Sequence, residues 1–359
     1  MVRSRRTFVV AEVGVNHDGD IDKALNLVDV AAGVRADAVK FQTFIPEKLV
    51  LSDAPLANYQ RRNLGQDSNQ LTMLSKLQLS KSDHFRIQER CQERSIEFMS
   101  TAFDSDSLSF LVHELGINRL KIGSGEMNNG PFLLEHAKYD RDIFLSTGMS
   151  DDKEIRKALR VLEYGYLNKD ITDKTDLDDV AVFGTKIKEK VTLLQCTTQY
   201  PAPIEEANLR AMVASGKKYG VNFGYSDHTP GIISAVVAVA KGATVIEKHI
   251  TLDKKSSSGP DHAASLDPEE FDRLVLAIEE AELSLGSEEK EAQPSEVENR
   301  LVARKSIVVA KNIGQGQLFS EANLEIKRPG TGLSPMEYWR IIGTKAKRDF
   351  QKGDLVSEE

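Results

Sequence analysis

The chain has 359 residues, a formal net charge of −8 and only two cysteines, Cys91 and Cys196. That length exceeds the usual single domain but suits a (β/α)8 barrel, which takes roughly 250 residues, followed by a small module. The acidic balance repels a phosphate backbone, and no cluster of Lys and Arg is interleaved with aromatics, so nucleic acid is not expected as a partner; two distant cysteines without metal-ligand spacing fit a reducing cytosol rather than a disulfide scaffold.

At the N-terminus the basic "MVRSRR" leads into an apolar run that stops at Glu12, too short for a signal-peptide core or a membrane span, so a cytoplasmic protein without membrane contact is expected. Eight β-rich runs then follow in order: "TFVVAEVG", "ADAVKFQT", "SIEFMST", "NRLKIGSGE", "DIFLSTGM", "KVTLLQCT", "VNFGYSDHT" and "ATVIEKHIT". Amphipathic or small-residue stretches such as "IDKALNLVDVAAGV" lie between them, and strands alternating with helices read as parallel βαβ units. Eight repeats predict an α/β fold closed into a (β/α)8 TIM barrel rather than an open sheet.

Two connections are longer than a barrel requires. Residues 51–79, after the second strand, read as a lid or specificity element on the catalytic face. The charged stretch 162–190, between strands five and six, reads as readily as a surface insertion and receives no site. After the last helical pattern, "SEEKEAQPSEVENR" lacks apolar periodicity. The division expected is a barrel over 1–285, a linker over 286–301 and a small β-rich domain over 302–359. In that domain "IGQGQLFSEANL" and "FQKGDLVSEE" share a pattern of apolar and glycine positions, which suggests two related turns with little core of their own.

Polar residues gather at the C-terminal ends of the strands, where barrel active sites lie. Residues two apart in a strand share a face, so Glu247 and His249 point one way and Lys248 the other, and Ser226 pairs with His228. Neutral imidazoles of His228 and His249 on adjacent strands can hold one divalent ion and leave positions open for water and substrate; a pair of hydrogen-bonded core histidines is the alternative. Lys40 and Gln42 share a face of a strand without a solvent edge. With Lys121, Ser124 in its Gly-rich turn, Ser146 and Ser226, Lys40 makes an anion cradle the size of a phosphate with a carboxylate nearby, and Thr101 ends the strand between the two lysines. Glu12 and Glu126 stand at the mouth either as acid and base or as counter-charges to a lysine. Asp261 follows strand eight, where it is placed to grip a polyol. Cys196 has no neighbouring His to activate it and reads as packing.

Taken in order, "AEVGVNHDG", "DAVKFQTF", "KIGSGE", "STGM", "CTTQYPAP", "GYSDHT", "EKHITLDK", "GPDHAASL" and "RPGTGLSPME" resemble the sialic acid synthase family, the nonulosonate synthases, over nearly the whole chain. The resemblance implies a barrel followed by an antifreeze-like (SAF) domain, a Mn2+ or Mg2+ requirement, and a domain-swapped homodimer. It implies condensation of phosphoenolpyruvate with an N-acylated mannosamine-type hexose to a nine-carbon 2-keto acid and phosphate. Position by position, it gives the metal to His228 and His249, phosphoenolpyruvate to Lys40, Lys121, Ser124, Ser146 and Ser226 with Thr101 nearby, and the sugar to Gln42, Tyr200 and Asp261. Glu12 and Glu126 match active-site carboxylates, with Glu12 as the candidate for activating water. Arg328 matches an arginine delivered across the dimer to the acylamino group.

Ala102 stands where the family usually has Pro, Thr198 where some members have Asn, and the insertion after strand five is absent from many. These departures leave the sugar open among the N-acetylneuraminate, legionaminate and pseudaminate series, with the insertion and "CTTQYPAP" closer to the first two. Two other classes compete: a Schiff-base aldolase acting through Lys121, which leaves both histidines idle, and a carbohydrate-binding or ice-binding protein acting through the C-terminal module.

Overall fold

The structure is a computed structural model that describes residues 7–64, 68–179, 181–256 and 259–357. The chain divides into two units, Met1–Gly286 and Ser287–Glu359. In the first, strands β1 (Phe8–Gly14), β2 (Ala38–Thr43), β3 (Glu97–Ala102), β4 (Arg119–Ile122), β5 (Asp142–Ser146), β6 (Val191–Gln195), β7 (Asn222–Asp227) and β8 (Val245–His249) form a closed barrel. Each strand pairs in parallel with the next, and β1 closes the ring against β8, with Glu12 opposite His249. The predicted α/β barrel is therefore the fold, and each of the eight runs read from the sequence contains one strand.

Strand alternation explains how one barrel is both a core and a site. Facing inward near the N-terminal ends, Val10, Ala38, Met99, Phe144, Leu194 and Val245 form an apolar plug. Two residues further along the same face stand Glu12, Lys40, Thr101, Ser146, Cys196 and Glu247, so one pleat converts the filling from apolar to polar. Gly224 marks the tightest point of this packing. A Cβ there would lie 2.4 Å from the Val245 carbonyl and 2.8 Å from Leu194 Cδ2. The opposite face of the strands is largely apolar and packs on the surrounding helices, as Val9, Ala11 and Phe41 do with Ala24, Leu27, Val28 and Ala31 of helix Ile21–Gly33. Asp20 starts that helix by accepting from the amides of Asp22 and Lys23.

The long connection after β2 folds into helices Pro46–Leu49, Asn58–Leu64 and Gln70–Leu77 over a small core of its own, with Phe44, Leu56, Met73, Leu74 and Leu77 packed on Val15. In the connection between β5 and β6, helix Asp152–Tyr166 is followed by a loop whose Asp178 faces Lys153, Arg156 and Lys157 at 3.2–3.9 Å. That part of the insertion is a charged clasp on its own helix. Among the described residues no helix is long and apolar enough to cross a membrane.

Two histidines in this unit are built into the fold in their neutral form. His17 Nδ1 accepts from the Gly19 amide at 3.0 Å, and His136 Nδ1 donates to the Phe132 carbonyl at 2.8 Å while its Nε2 is buried with no partner among the described residues. Burial pushes both down to about 4. The unfolded chain, titrating near 6.5, binds more protons than the native state between pH 6.5 and 4, so stability falls as pH drops through that window. Each histidine contributes a loss on the order of 3 kcal/mol by pH 4. Calorimetric unfolding at pH 5 should take up about two more protons than at pH 8 from this pair; a His17→Asn/His136→Gln variant with an unchanged uptake would refute the assignment.

In the second unit, β9 (Ser306–Val309) and β10 (Leu324–Lys327) form an antiparallel ribbon. The two related sequence patterns meet at their first residues: Ile313 and Phe350 exchange both backbone hydrogen bonds, at 2.9 and 2.8 Å, and Gly316 and Gly353 both take positive φ, at 81° and 96°. Ten buried apolar residues, among them Ile307, Val309, Phe319, Phe350 and Val356, give this unit more core than its sequence leads one to expect. Part of the expected linker is ordered too. Pro294 opens a turn that a Gln293–Glu296 capping box stabilises, and helix Val297–Ala303 continues from it.

Candidate active site

The polar upper layer of the barrel opens into a cavity of about 580 Å³ at the C-terminal ends of the strands. It collects Glu12, Lys40, Gln42, Thr101, Lys121, Ser124, Glu126, Ser146, Tyr200, Ser226, His228, His249 and Asp261. Arg328 belongs to the second unit, where it lies on an exposed loop. A second hollow, of about 440 Å³, lies at the other end of the strands. There Arg119 is ion-paired to Glu97 at 2.7 Å and stacked over Phe8 and Phe144, which seals the barrel floor.

Four charged groups form the floor of the cavity. Lys40 Nζ lies 2.6 Å from Glu12 Oε2 and 3.6 Å from Glu247 Oε2, and it donates to Thr101 Oγ1 at 3.0 Å. Lys121 Nζ lies 3.3 Å from Glu247 Oε1, and Ser226 Oγ donates to that same oxygen at 2.7 Å. Glu247 is thus the hub, a residue sequence reading passed over. The signal was present, because it shares a strand face with His249.

Burial disfavours charge on every member of this group, and the neighbours decide which of them keep it. For Lys40, burial opposes the ammonium, but Glu12 and Glu247 outweigh it and hold the pKa above its usual value. For Glu247, burial is overcome by Lys121, Lys40 and the Ser226 hydrogen bond, which keep the carboxylate ionised. Glu12 is left with the weaker share. Burial, with repulsion from Glu247 added, pushes it above the usual carboxylate range against the pull of Lys40, so Glu12 is the more readily protonated of the two carboxylates.

Beside this charged floor stand three rings. Tyr200 lies 4.2 Å from His228 and 5.5 Å from His249 between ring centres, and the two imidazoles are 5.5 Å apart. Burial lowers both histidines, His228 to about 4 and His249 well below its ordinary value, so both rings are neutral. His228 Nδ1 donates to the Thr197 carbonyl at 2.5 Å, which fixes the tautomer and leaves Nε2 bare. Ser226 Oγ is 3.3 Å from that Nε2, but its one proton goes to Glu247. His249 Nδ1 is buried with no hydrogen-bond partner among the described residues. Each of these cavity-lining rings therefore has a nitrogen that receives no donated proton from the described residues, and such a pair could hold a divalent cation. No group of three or more His, Cys, Asp and Glu suited to a metal occurs among the described residues, so further positions around an ion would go to substrate or water.

The remaining residues line the cavity above. Ser146 Oγ is buried with no hydrogen-bond partner among the described residues. Ser124 Oγ accepts from the Gly148 amide at 3.0 Å and contacts Cys196 Sγ at 3.0 Å, so Cys196 does more than pack. A Cβ on Gly148 would sit 2.8 Å from Ser124 Oγ and from Thr198 Cγ2, which requires glycine there. Glu126, half-exposed on the rim, accepts from Asn129 Nδ2 at 2.7 Å. Asp261 is pushed up to about 6 by burial. Sequence reading also missed Tyr59 and Asn63, from the connection after β2. The Tyr59 ring is 5.1 Å from that of Tyr200, and Asn63 Nδ2 donates to the carbonyls of Tyr200 and Pro260 at 3.3 and 2.6 Å.

Residues 27–290 match the model of the NeuB family, and residues 304–359 match that of the SAF domain. The chain is 41% identical over 354 residues to the N,N'-diacetyllegionaminic acid synthase of Campylobacter jejuni, covering 99% of this chain and 100% of that one. It is 41% identical over 353 residues to the enzyme of the same name from Legionella pneumophila, covering 98% and 94%. Among solved structures, the N-acetylneuraminic acid synthetase of Leptospira borgpetersenii superposes with a TM-score of 0.65 at 30% identity, covering 82% of this chain and 90% of that one.

Proposed function

The chain belongs to the NeuB family, the nonulosonate synthases, and from that premise we propose that it condenses phosphoenolpyruvate with an N-acylated mannose-type aldose to give a nine-carbon 2-keto acid and phosphate. The observation that carries this reading is the division of one cavity into a floor with two ammonium groups and a wall with two bare imidazole nitrogens. Lys40 and Lys121 would hold the carboxylate and phosphate of the donor, with Ser124 and Ser146 donating to its oxygens and Ser226 joining them once the anion displaces Glu247 from its hydroxyl. C3 of the donor bonds to the aldehyde carbon of the open-chain sugar, water adds at C2, and the C2–O bond to phosphate then breaks. Glu12, beside Lys40, is the group to take the proton of that water. His228 and His249 would hold a divalent ion, Mn2+ or Mg2+, which when bound supplies Lewis-acid polarisation of the aldehyde. Gln42, Tyr200 and Asp261 would contact the sugar, and Glu126 the solvent side of the reactants.

For the sugar we propose 2,4-diacetamido-2,4,6-trideoxymannose. Support comes from the two relatives named above and from the cavity wall supplied by the connection after β2, where Leu49, Val50, Met73, Leu74 and Leu77 stand near Val15. Lys40 and Lys121 are the only lysines or arginines lining the cavity among the described residues, so this wall offers an apolar surface to a C6 methyl and no cation of its own to a 6-phosphate. Phosphate release with a panel of N-acylated hexoses tests this. The trideoxy sugar should exceed N-acetylmannosamine about tenfold or more in kcat/KM, the worth of about 1.4 kcal/mol of apolar contact. Equal or better use of a 6-phosphorylated sugar would overturn the choice.

Lys121→Ala should raise KM for phosphoenolpyruvate at least tenfold and leave that for the sugar nearly unchanged, the mark of a residue that faces the anion. The opposite split would mean that the cradle is misplaced. The competing Schiff-base reading predicts activity that survives exhaustive chelation and is trapped by borohydride. We further propose that the chain forms a homodimer in which Arg328 serves the partner's barrel. Mixing Arg328→Ala with His249→Ala chains, each inactive alone, should then restore up to about a quarter of native activity, since only one barrel of each mixed dimer has both groups; no recovery after verified exchange would exclude action in trans.

A further inference from the structure

The two imidazoles sit on strands whose other face holds a buried ion pair that the chemistry above does not use. Asp227 and Lys248 are partners in the β7–β8 register, and both are 0% exposed. Lys248 Nζ donates to Asp227 Oδ2 at 2.8 Å and to the Thr229 carbonyl at 2.5 Å. The second carboxylate oxygen of Asp227 accepts from the Thr229 amide at 2.8 Å and from its hydroxyl at 2.7 Å. One ammonium group therefore grips the residues on both sides of His228, while its own backbone leads directly into His249. Such a pair is a costly way to join two strands, because desolvation of buried charges offsets most of their attraction and apolar residues would serve as well for stability alone. What it adds is a fixed geometry.

Resting on the metal reading above, we propose that the Lys248–Asp227 pair is a positioning element that sets the separation of the His228 and His249 rings and so the affinity of the site for a divalent cation. It does this from behind the strands, in the way that partners of ligating histidines fix ring orientation, except that here the backbone rather than the ring is held. Ser226 and Glu247 of the anion cradle precede the same two residues, but Lys40, Lys121, Ser124 and Ser146 lie on or after other strands, so most of the cradle is held independently of the pair.

The test uses the full chain. Mn2+ binding is followed by the paramagnetic resonance of the free ion, and phosphoenolpyruvate binding by calorimetry in chelator. Asp227→Asn/Lys248→Met removes both charges together, so no lone charge stays buried, and the amide oxygen still accepts from Thr229. The double variant should melt near the native temperature and bind Mn2+ on the order of 10- to 100-fold more weakly, with phosphoenolpyruvate affinity in chelator falling by about twofold at most. Native Mn2+ affinity in this variant, or parallel loss of both ligands together with stability, overturns the proposal. Should the double variant not fold, Thr229→Val, which removes one hydrogen bond onto Asp227, decides through a severalfold weakening of Mn2+ binding or its absence. Failure of the metal reading itself looks different: the native chain would then bind Mn2+ no more tightly than His249→Ala.

Discussion

His249→Ala and His228→Ala should each lower the proposed condensation by about a thousandfold or more while leaving the barrel folded. Lewis-acid polarisation of an aldehyde supplies several kcal/mol of transition-state stabilisation, and about 4 kcal/mol corresponds to a thousandfold in rate. The two variants differ in what else they lose. His228 gives up its hydrogen bond to the Thr197 carbonyl, whereas His249 Nδ1 has no hydrogen-bond partner among the described residues to lose. His249→Ala should therefore melt at least as high as His228→Ala in chelator, and neither should gain the stabilisation that Mn2+ confers on the native chain. Normal turnover of either variant at limiting Mn2+ would sink the ligand assignment, and a collapse of structure in both would assign the rings to the core instead.

Much of this site is visible in the sequence because a parallel barrel converts chain position into depth. A strand such as "VIEKH" starts in the apolar plug at Val245 and reaches the mouth by His249, so its ionisable end announces a site at a known end of the fold. The same period sends Lys248 to the other face, where it meets Asp227. Contacts that depend on reach are harder to read. Glu247 was legible as facing inward, but its place between Lys40 and Lys121 follows from strand stagger around a closed ring, which no single strand encodes. Tyr59 and Asn63 come from a connection with no fixed period, and their approach to Tyr200 depends on how short helices fold over Val15. The second unit illustrates a different limit. Its repeated turns were legible from spacing, but its core draws on isolated residues such as Leu333, Ile341 and Ala346 that no periodicity marks.

Glu247→Gln should have the other large effect, and its signature is unlike that of the histidines. Lys121 has Glu247 as its one ion-pair partner among the described residues, while Lys40 keeps Glu12 at 2.6 Å. A neutral amide at this position leaves the Lys121 ammonium buried without a counter-charge, a change that costs on the order of 3 kcal/mol or more. It also removes the carboxylate with which an incoming anion must compete. Inorganic phosphate and phosphoenolpyruvate should accordingly bind the variant more tightly than the native chain and raise its melting temperature further, since a ligand stabilises in proportion to the logarithm of its concentration over Kd. Turnover should fall all the same, because the variant holds the ground-state donor more firmly without any added hold on the transition state. Thermal melts over a phosphate titration, run on both proteins, separate the possibilities. A variant that melts like the native chain and responds equally to phosphate would show that Glu247 does not balance the lysines of the floor.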